Sequence, residues 1–153
     1  MNSARKQYKD FVMQRGESDC GVACLLSIIR FYKGDCGYDA LRIWSSTNKN
    51  GTSLKGLKEA ANQMGLEAEA FLAEELIDFK KEATFPCILH IINCKMQNHF
   101  IVCCEPPSEN SFTIFDPVKG FENWDENQLL SVWKSRAVLF LVPHQNFIKV
   151  GFE

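Results

Sequence analysis

The chain has 153 residues, the length of one domain, and its 46% apolar and 24% charged residues are an ordinary globular balance. A formal net charge of −2 argues against a nucleic-acid binder that works through a basic face. No apolar run approaches the ~20 residues of a membrane span, and Met1 to Asp10 lacks the apolar centre of a secretory signal.

In chain order, the first clear element starts at Asp19, a good N-cap. Cys20 to Lys33 then carries Val22, Leu25, Leu26, Ile28, Ile29 and Tyr32, which predicts a central, buried helix stopped at Gly34. Tyr38 to Ser46 fits a second helix, and a third runs from an N-cap at Ser53 to a stop at Gly65. Leu66 to Phe71 alternates as a strand, and Ala73 to Lys81 reads as a short helix. Phe85 to Ile92 and Phe100 to Cys104 are continuous apolar runs, the pattern of buried strands. Phe112 to Phe115 predicts another strand, Asp125 caps a helix reaching Lys134, and Ala137 to Val142 predicts a last strand stopped by Pro143.

Helices come first and an antiparallel sheet follows. This predicts an α+β fold, an N-terminal helical half packed on a C-terminal antiparallel β-sheet half, over residues 1–143. Residues 144–153 are expected to be a tail or linker towards a possible transmembrane domain. Trp44 and Trp133 are expected in the core; the surface-leaning Phe71, Phe79, Phe121 and Trp124 are candidates for an apolar binding groove, with ordinary core packing the favoured reading of each.

The seven cysteines are Cys20, Cys24, Cys36, Cys87, Cys94, Cys103 and Cys104. No two form a Cys-x-x-Cys pair and the count is odd, so the chain reads as reduced and cytoplasmic, with no metal site. Cys24, Cys87 and Cys103 lie in apolar runs, as small hydrophobes do. Cys20 differs. A cysteine in the first turn of a buried helix meets the positive end of the dipole and free backbone N–H groups, which favour the thiolate; a packed core cysteine is the alternative. Gly21 leaves that thiol uncrowded, the Cys20 backbone N–H is free to donate to an oxyanion, and the Gln14 side-chain amide is a candidate second donor.

His99 opens a buried strand after a polar loop, a useful place for a general base. His90, mid-strand, reads as a satisfied interior group and His144 as a tail residue. Asp116, before Pro117 and Gly120, is either a turn residue or the orienter of His99. A hairpin would put the strand starting at His99 beside the strand ending at Asp116, with those two ends at one edge.

Gln14 with Asp19-Cys20-Gly21, then His99-Phe100-Ile101-Val102, then Asp116-Pro117-Val118-Lys119-Gly120 resemble the bacteriocin-processing, or double-glycine, peptidase domain. That family belongs to the papain-like cysteine peptidases. It typically forms the cytoplasmic N-terminus of bacterial ATP-binding cassette exporters. The resemblance covers Val12 to Pro143.

The resemblance implies Cys20 as nucleophile, His99 as base, Asp116 as its orienter and Gln14 as oxyanion-hole donor. It implies cleavage of a precursor peptide after a Gly-Gly-type pair that ends a helical leader. The partners would be that precursor and the transmembrane and nucleotide-binding domains of an exporter, with no nucleic acid. The peptidase domain would need no cofactor, ATP binding elsewhere in a full-length transporter. The place would be the cytoplasmic side of the bacterial cell membrane, the domain itself being soluble. The alternatives are a non-catalytic peptide-docking domain of the same fold, against which an intact Cys20 counts, and a papain-like isopeptidase or acyltransferase.

Overall fold

The computed structural model describes residues 3–150. After a 3-10 turn over Ser3–Tyr8, helix α1 spans Cys20–Phe31, and every residue from Cys20 to Ile29 is buried. An all-round apolar helix can only be central, and α1 fills that place. It ends at Phe31, two residues short of the expected Lys33. Lys33 takes the left-handed conformation (φ 74°) and the Gly34 N–H bonds Ile29 O at 2.9 Å. Gly34 is needed for space instead: a Cβ there would sit 2.4 Å from Phe147 Cζ.

Asp19 does not cap α1. Its backbone lies at φ −98° and ψ 11°, outside the extended range of a cap, and its side chain accepts nothing from the helix. The carboxylate is taken by α2 (Tyr38–Trp44), where Tyr38 Oη donates to Asp19 Oδ2 at 3.1 Å and Arg42 Nε pairs with Oδ1 at 3.0 Å. Tertiary partners here override a local preference. Helix α3 (Leu54–Gln63) starts as expected, with Ser53 Oγ accepting from the Gly56 N–H at 2.9 Å.

The six strands are β1 (Leu66–Leu72), β2 (Cys87–Ile92), β3 (Asn98–Cys103), β4 (Phe112–Asp116), β5 (Gly120–Trp124) and β6 (Ala137–Pro143). They form one sheet in the order β1-β6-β2-β3-β4-β5, antiparallel at each junction. Helices α4 (Leu76–Glu82) and α5 (Glu126–Val132) lie between strands in the chain. The fold is α+β, as read from the sequence.

One sheet face, with Ile88, Phe100, Val102, Phe115, Leu139 and Leu141, packs against α1 and α3. The opposite face is also covered, where Leu89, Ile101, Phe112 and Val138 meet Phe79 of α4 and Trp133. That second core explains why the runs of β2 and β3 are continuous rather than alternating: both faces of those strands are dry. Trp133 is fully buried and donates Nε1–H to Ala137 O at 2.9 Å.

Three other expectations change. Trp44 is 38% exposed and is no core residue. Strand β5 was not evident, because its residues are only partly buried and show no clean alternation. Residues 144–150 lie back on the domain, with the His144 N–H on Gly65 O and the Val150 N–H on Lys33 O, both at 2.8 Å, while Phe147 packs against the core. Of the surface-leaning aromatics, Phe79 is buried, Phe121 and Trp124 are half-buried, and Phe71 is 46% exposed. Phe71 lines a groove of about 550 Å³ with Phe140, Val142, Glu67, Glu69 and Asp78.

Candidate active site

Three element ends meet at one point. Cys20 is the first residue of α1, His99 sits at the start of β3, and Asp116 ends β4. Strands β3 and β4 are antiparallel, pairing Val102 with Phe115 and Cys103 with Ile114. The start of one therefore adjoins the end of the other, as the hairpin reading requires.

Gly21 brings the helix to the strand. A Cβ at that position would lie 3.1 Å from Leu57 Cδ2 and 3.3 Å from Phe100 Cδ2. Its service is this close approach of α1 to β3, rather than open space around the thiol. Cys20, His99 and Asp116 are all buried, at 8%, 7% and 6% exposure.

His99 Nε2 bonds Asp116 Oδ1 at 2.9 Å. That contact leaves Nδ1 as the ring nitrogen open to Cys20, which also acts on the His99 ring. Burial disfavours the imidazolium, but the hydrogen bonds with Asp116 and Cys20 and their charges outweigh it, and the His99 pKa rises to about 9. For Asp116, burial acts upward. It is overcome by the hydrogen bonds from His99 and the Val118 N–H, and by the charges of His99 and Lys119, which together hold the carboxyl below its ordinary range.

The same oxygen, Asp116 Oδ1, accepts from the Val118 N–H at 2.9 Å and so builds the turn into β5. One carboxylate oxygen therefore serves the turn and contacts His99 together. Gln14 is tied to this turn: its N–H donates to Pro117 O at 2.9 Å. Its side-chain Nε2 donates to Gly16 O at 2.7 Å, and its Oε1 is buried without a partner. An amide nitrogen carries two N–H donors, so one remains after the Gly16 bond.

The remaining candidates stand apart. His90 is satisfied at both nitrogens, by Ser135 Oγ at 2.8 Å and Asn98 Oδ1 at 2.9 Å. His144 faces Glu67 at 3.6 Å near the surface. Cys24 and Cys87 are fully buried, and burial pushes both thiols well up, which makes them inert. Nothing in the sequence pattern singles out Tyr38, which binds Asp19 immediately before the thiol.

Alkylation tests the arrangement. Cysteine reactivity follows access and a neighbouring cation. Iodoacetamide at neutral pH is expected to label Cys20 first of the seven cysteines, ahead even of exposed Cys94. Peptide mapping by mass spectrometry reads the order. Labelling of another cysteine first, with loss of activity, would remove Cys20 from the centre.

Residues 8–146 match the peptidase C39 family. The chain belongs to that family. This C39 domain is 34% identical over 112 residues to the lactococcin-G-processing and transport ATP-binding protein of Lactococcus lactis, a match covering 73% of the chain and 16% of the relative. It is 32% identical over 137 residues to the pediocin PA-1 transport/processing ATP-binding protein of Pediococcus acidilactici, covering 88% and 19%. The chain thus spans less than a fifth of the length of either relative. Among solved structures, the peptidase domain of Streptococcus ComA, a bifunctional ABC transporter of a quorum-sensing pathway, superposes with a TM-score of 0.79 at 30% identity, covering 87% of this chain and 97% of that one. A double-glycine-motif protease solved with its leader peptide gives 0.78 at 28% identity, covering 86% and 89%.

Proposed function

We propose that this C39 domain is a cysteine endopeptidase that removes the leader from bacteriocin-type or related precursor peptides by cutting after a Gly-Gly-type pair. The observation that carries the reading is the buried Cys20–His99–Asp116 arrangement at the first turn of α1. Its chemistry is acyl transfer. Cys20 passes its proton to His99 Nδ1 and attacks the carbonyl carbon of the second glycine. Asp116 holds His99 by Nε2–H and favours the imidazolium that forms.

The oxyanion is received by the Cys20 backbone N–H at the helix start and by the remaining N–H of the Gln14 amide. His99 then protonates the leaving amine, the core peptide departs, and water hydrolyses the thioester to free the leader. Exposed Met13 and Val118 adjoin the Gln14–Pro117 contact and offer the peptide an apolar rim.

The relatives are named for both transport and processing. We therefore assign this domain to the cytoplasmic side of the cell membrane, working with the transmembrane and nucleotide-binding domains of an exporter. Among the described residues no helix is long and apolar enough to cross a membrane.

Incubation with a synthetic leader–core peptide tests the function. Cleavage after Gly-Gly is the expected result. Tight binding without cleavage would make the chain a docking domain, and neither would point to an isopeptidase or acyltransferase. For Gln14, a donor aimed at the developing oxyanion acts in the transition state. Gln14→Ala is expected to lower kcat on the order of 100-fold with little change in KM. A rate within a few-fold of the parent would remove Gln14 from the hole.

A further inference from the structure

The segment from Gln14 to Cys20 carries both oxyanion donors, yet little packing holds it. Arg15, Gly16 and Glu17 are exposed, and the one backbone bond within the loop, from the Asp19 N–H to Gly16 O, is long at 3.4 Å. Something polar must fix the loop. The phenol of Tyr38, on α2, is placed to do so. Its Oη donates to Asp19 Oδ2 at 3.1 Å and accepts from the Arg15 N–H at 2.9 Å.

These contacts fall beside the two donors: Asp19 immediately precedes Cys20, and Arg15 immediately follows Gln14. One hydroxyl therefore joins the two ends of the loop. The seam is reinforced on each side. The Arg15 guanidinium lies 4.2 Å from the centroid of the Tyr38 ring, and Arg42 Nε pairs with the other Asp19 oxygen at 3.0 Å. Gly16 folds over the carboxylate, since a Cβ there would lie 3.2 Å from Asp19 Oδ2. Burial pushes the Tyr38 hydroxyl up to about 12, so it stays a donor throughout the working pH range.

We propose that Tyr38 is a positioning residue of the oxyanion hole: its hydroxyl, bridging Asp19 and Arg15, fixes the spacing between the Cys20 N–H and the Gln14 amide. The inference rests on reading those two groups as the oxyanion donors. Tyr38 acts through the loop, by its bonds to Asp19 and Arg15. Its effect follows from geometry, because displacing a catalytic group by about 1 Å costs up to ~100-fold in rate.

The test is a double-mutant cycle on the peptide-cleavage reaction. Tyr38→Phe keeps the ring under Arg15 and removes only the oxygen. It is expected to lower kcat about 10- to 30-fold while KM, the thermal midpoint and the rate of Cys20 alkylation change little. Adding Tyr38→Phe to Gln14→Ala should cost less than the product of the single losses, because both act through one hole. Asp19→Asn, which keeps the shape but weakens the acceptor, should lower kcat in the same direction.

A slow Gln14→Ala beside an unimpaired Tyr38→Phe would overturn the positioning role and leave the hole standing. So would a Tyr38→Phe loss that multiplies fully with Gln14→Ala, or one that tracks a fall in thermal midpoint. An unimpaired Gln14→Ala would remove the hole itself, and this inference with it.

Discussion

Cys20→Ala is expected to abolish cleavage and leave leader binding within a few-fold of the parent. Removing the nucleophile, the role proposed for Cys20, from a catalytic set costs on the order of a million-fold in kcat, because the remaining members act through it. The substitution is small. Cys20 is 8% exposed and its side chain differs from alanine by one sulfur, so the neighbouring core is barely altered. Parent and variant are compared by mass spectrometry of the products and by fluorescence anisotropy of a labelled leader. Persistent cleavage after Gly-Gly by Cys20→Ala would sink the assignment, since burial leaves Cys24, one turn further along α1, unreactive. A parent that binds equally and never cleaves would show a docking domain instead.

Much of the candidate site was legible because its residues sit where patterns change. The apolar run after Asp19 marks a helix, so Cys20 is visibly at its start. The switch from a polar loop to Phe100-Ile101-Val102 marks a strand, so His99 is visibly at its mouth. Asp116 was ambiguous for a reason the structure makes plain: one oxygen serves both the turn and His99. What stayed hidden depends on groups far apart in the chain. Asp19 reads as a cap and is instead drawn to Tyr38 and Arg42. Strand β5 pairs with β4 through five residue pairs, Phe112 with Trp124 to Asp116 with Gly120, yet its half-buried face leaves no period in the sequence. Residues 144–150 look like a tail because their anchors, Gly65 and Lys33, lie in turns far away in the chain.

Asp116→Asn is expected to lower the cleavage rate on the order of 1,000-fold while the turn survives. An aspartate-to-asparagine exchange that traps the wrong histidine tautomer costs ~10,000-fold. The loss here should be smaller, because an asparagine oxygen can still accept both from the Val118 N–H and from His99 Nε2–H. What disappears is the negative charge. His99 then loses part of what lifts its pKa to about 9, and the alkaline limb of kcat/KM, which follows loss of the imidazolium, should move to lower pH.

Stability carries the same signature, with its sign fixed by linkage. The raised pKa of His99 gives stability that is fully present below its ordinary value of 6.5 and is lost as pH climbs through about 9. The lowered pKa of Asp116 gives stability present above its ordinary 3.8 and lost as pH falls through its folded value. The difference in thermal midpoint between parent and Asp116→Asn should therefore be widest near pH 6 and narrow above pH 9. Asp116→Leu removes the turn acceptor as well, so midpoint and rate should fall together at every pH. If Asp116→Asn were silent in rate and left the alkaline limb in place, the centre would be a Cys20–His99 dyad and Asp116 a turn residue alone.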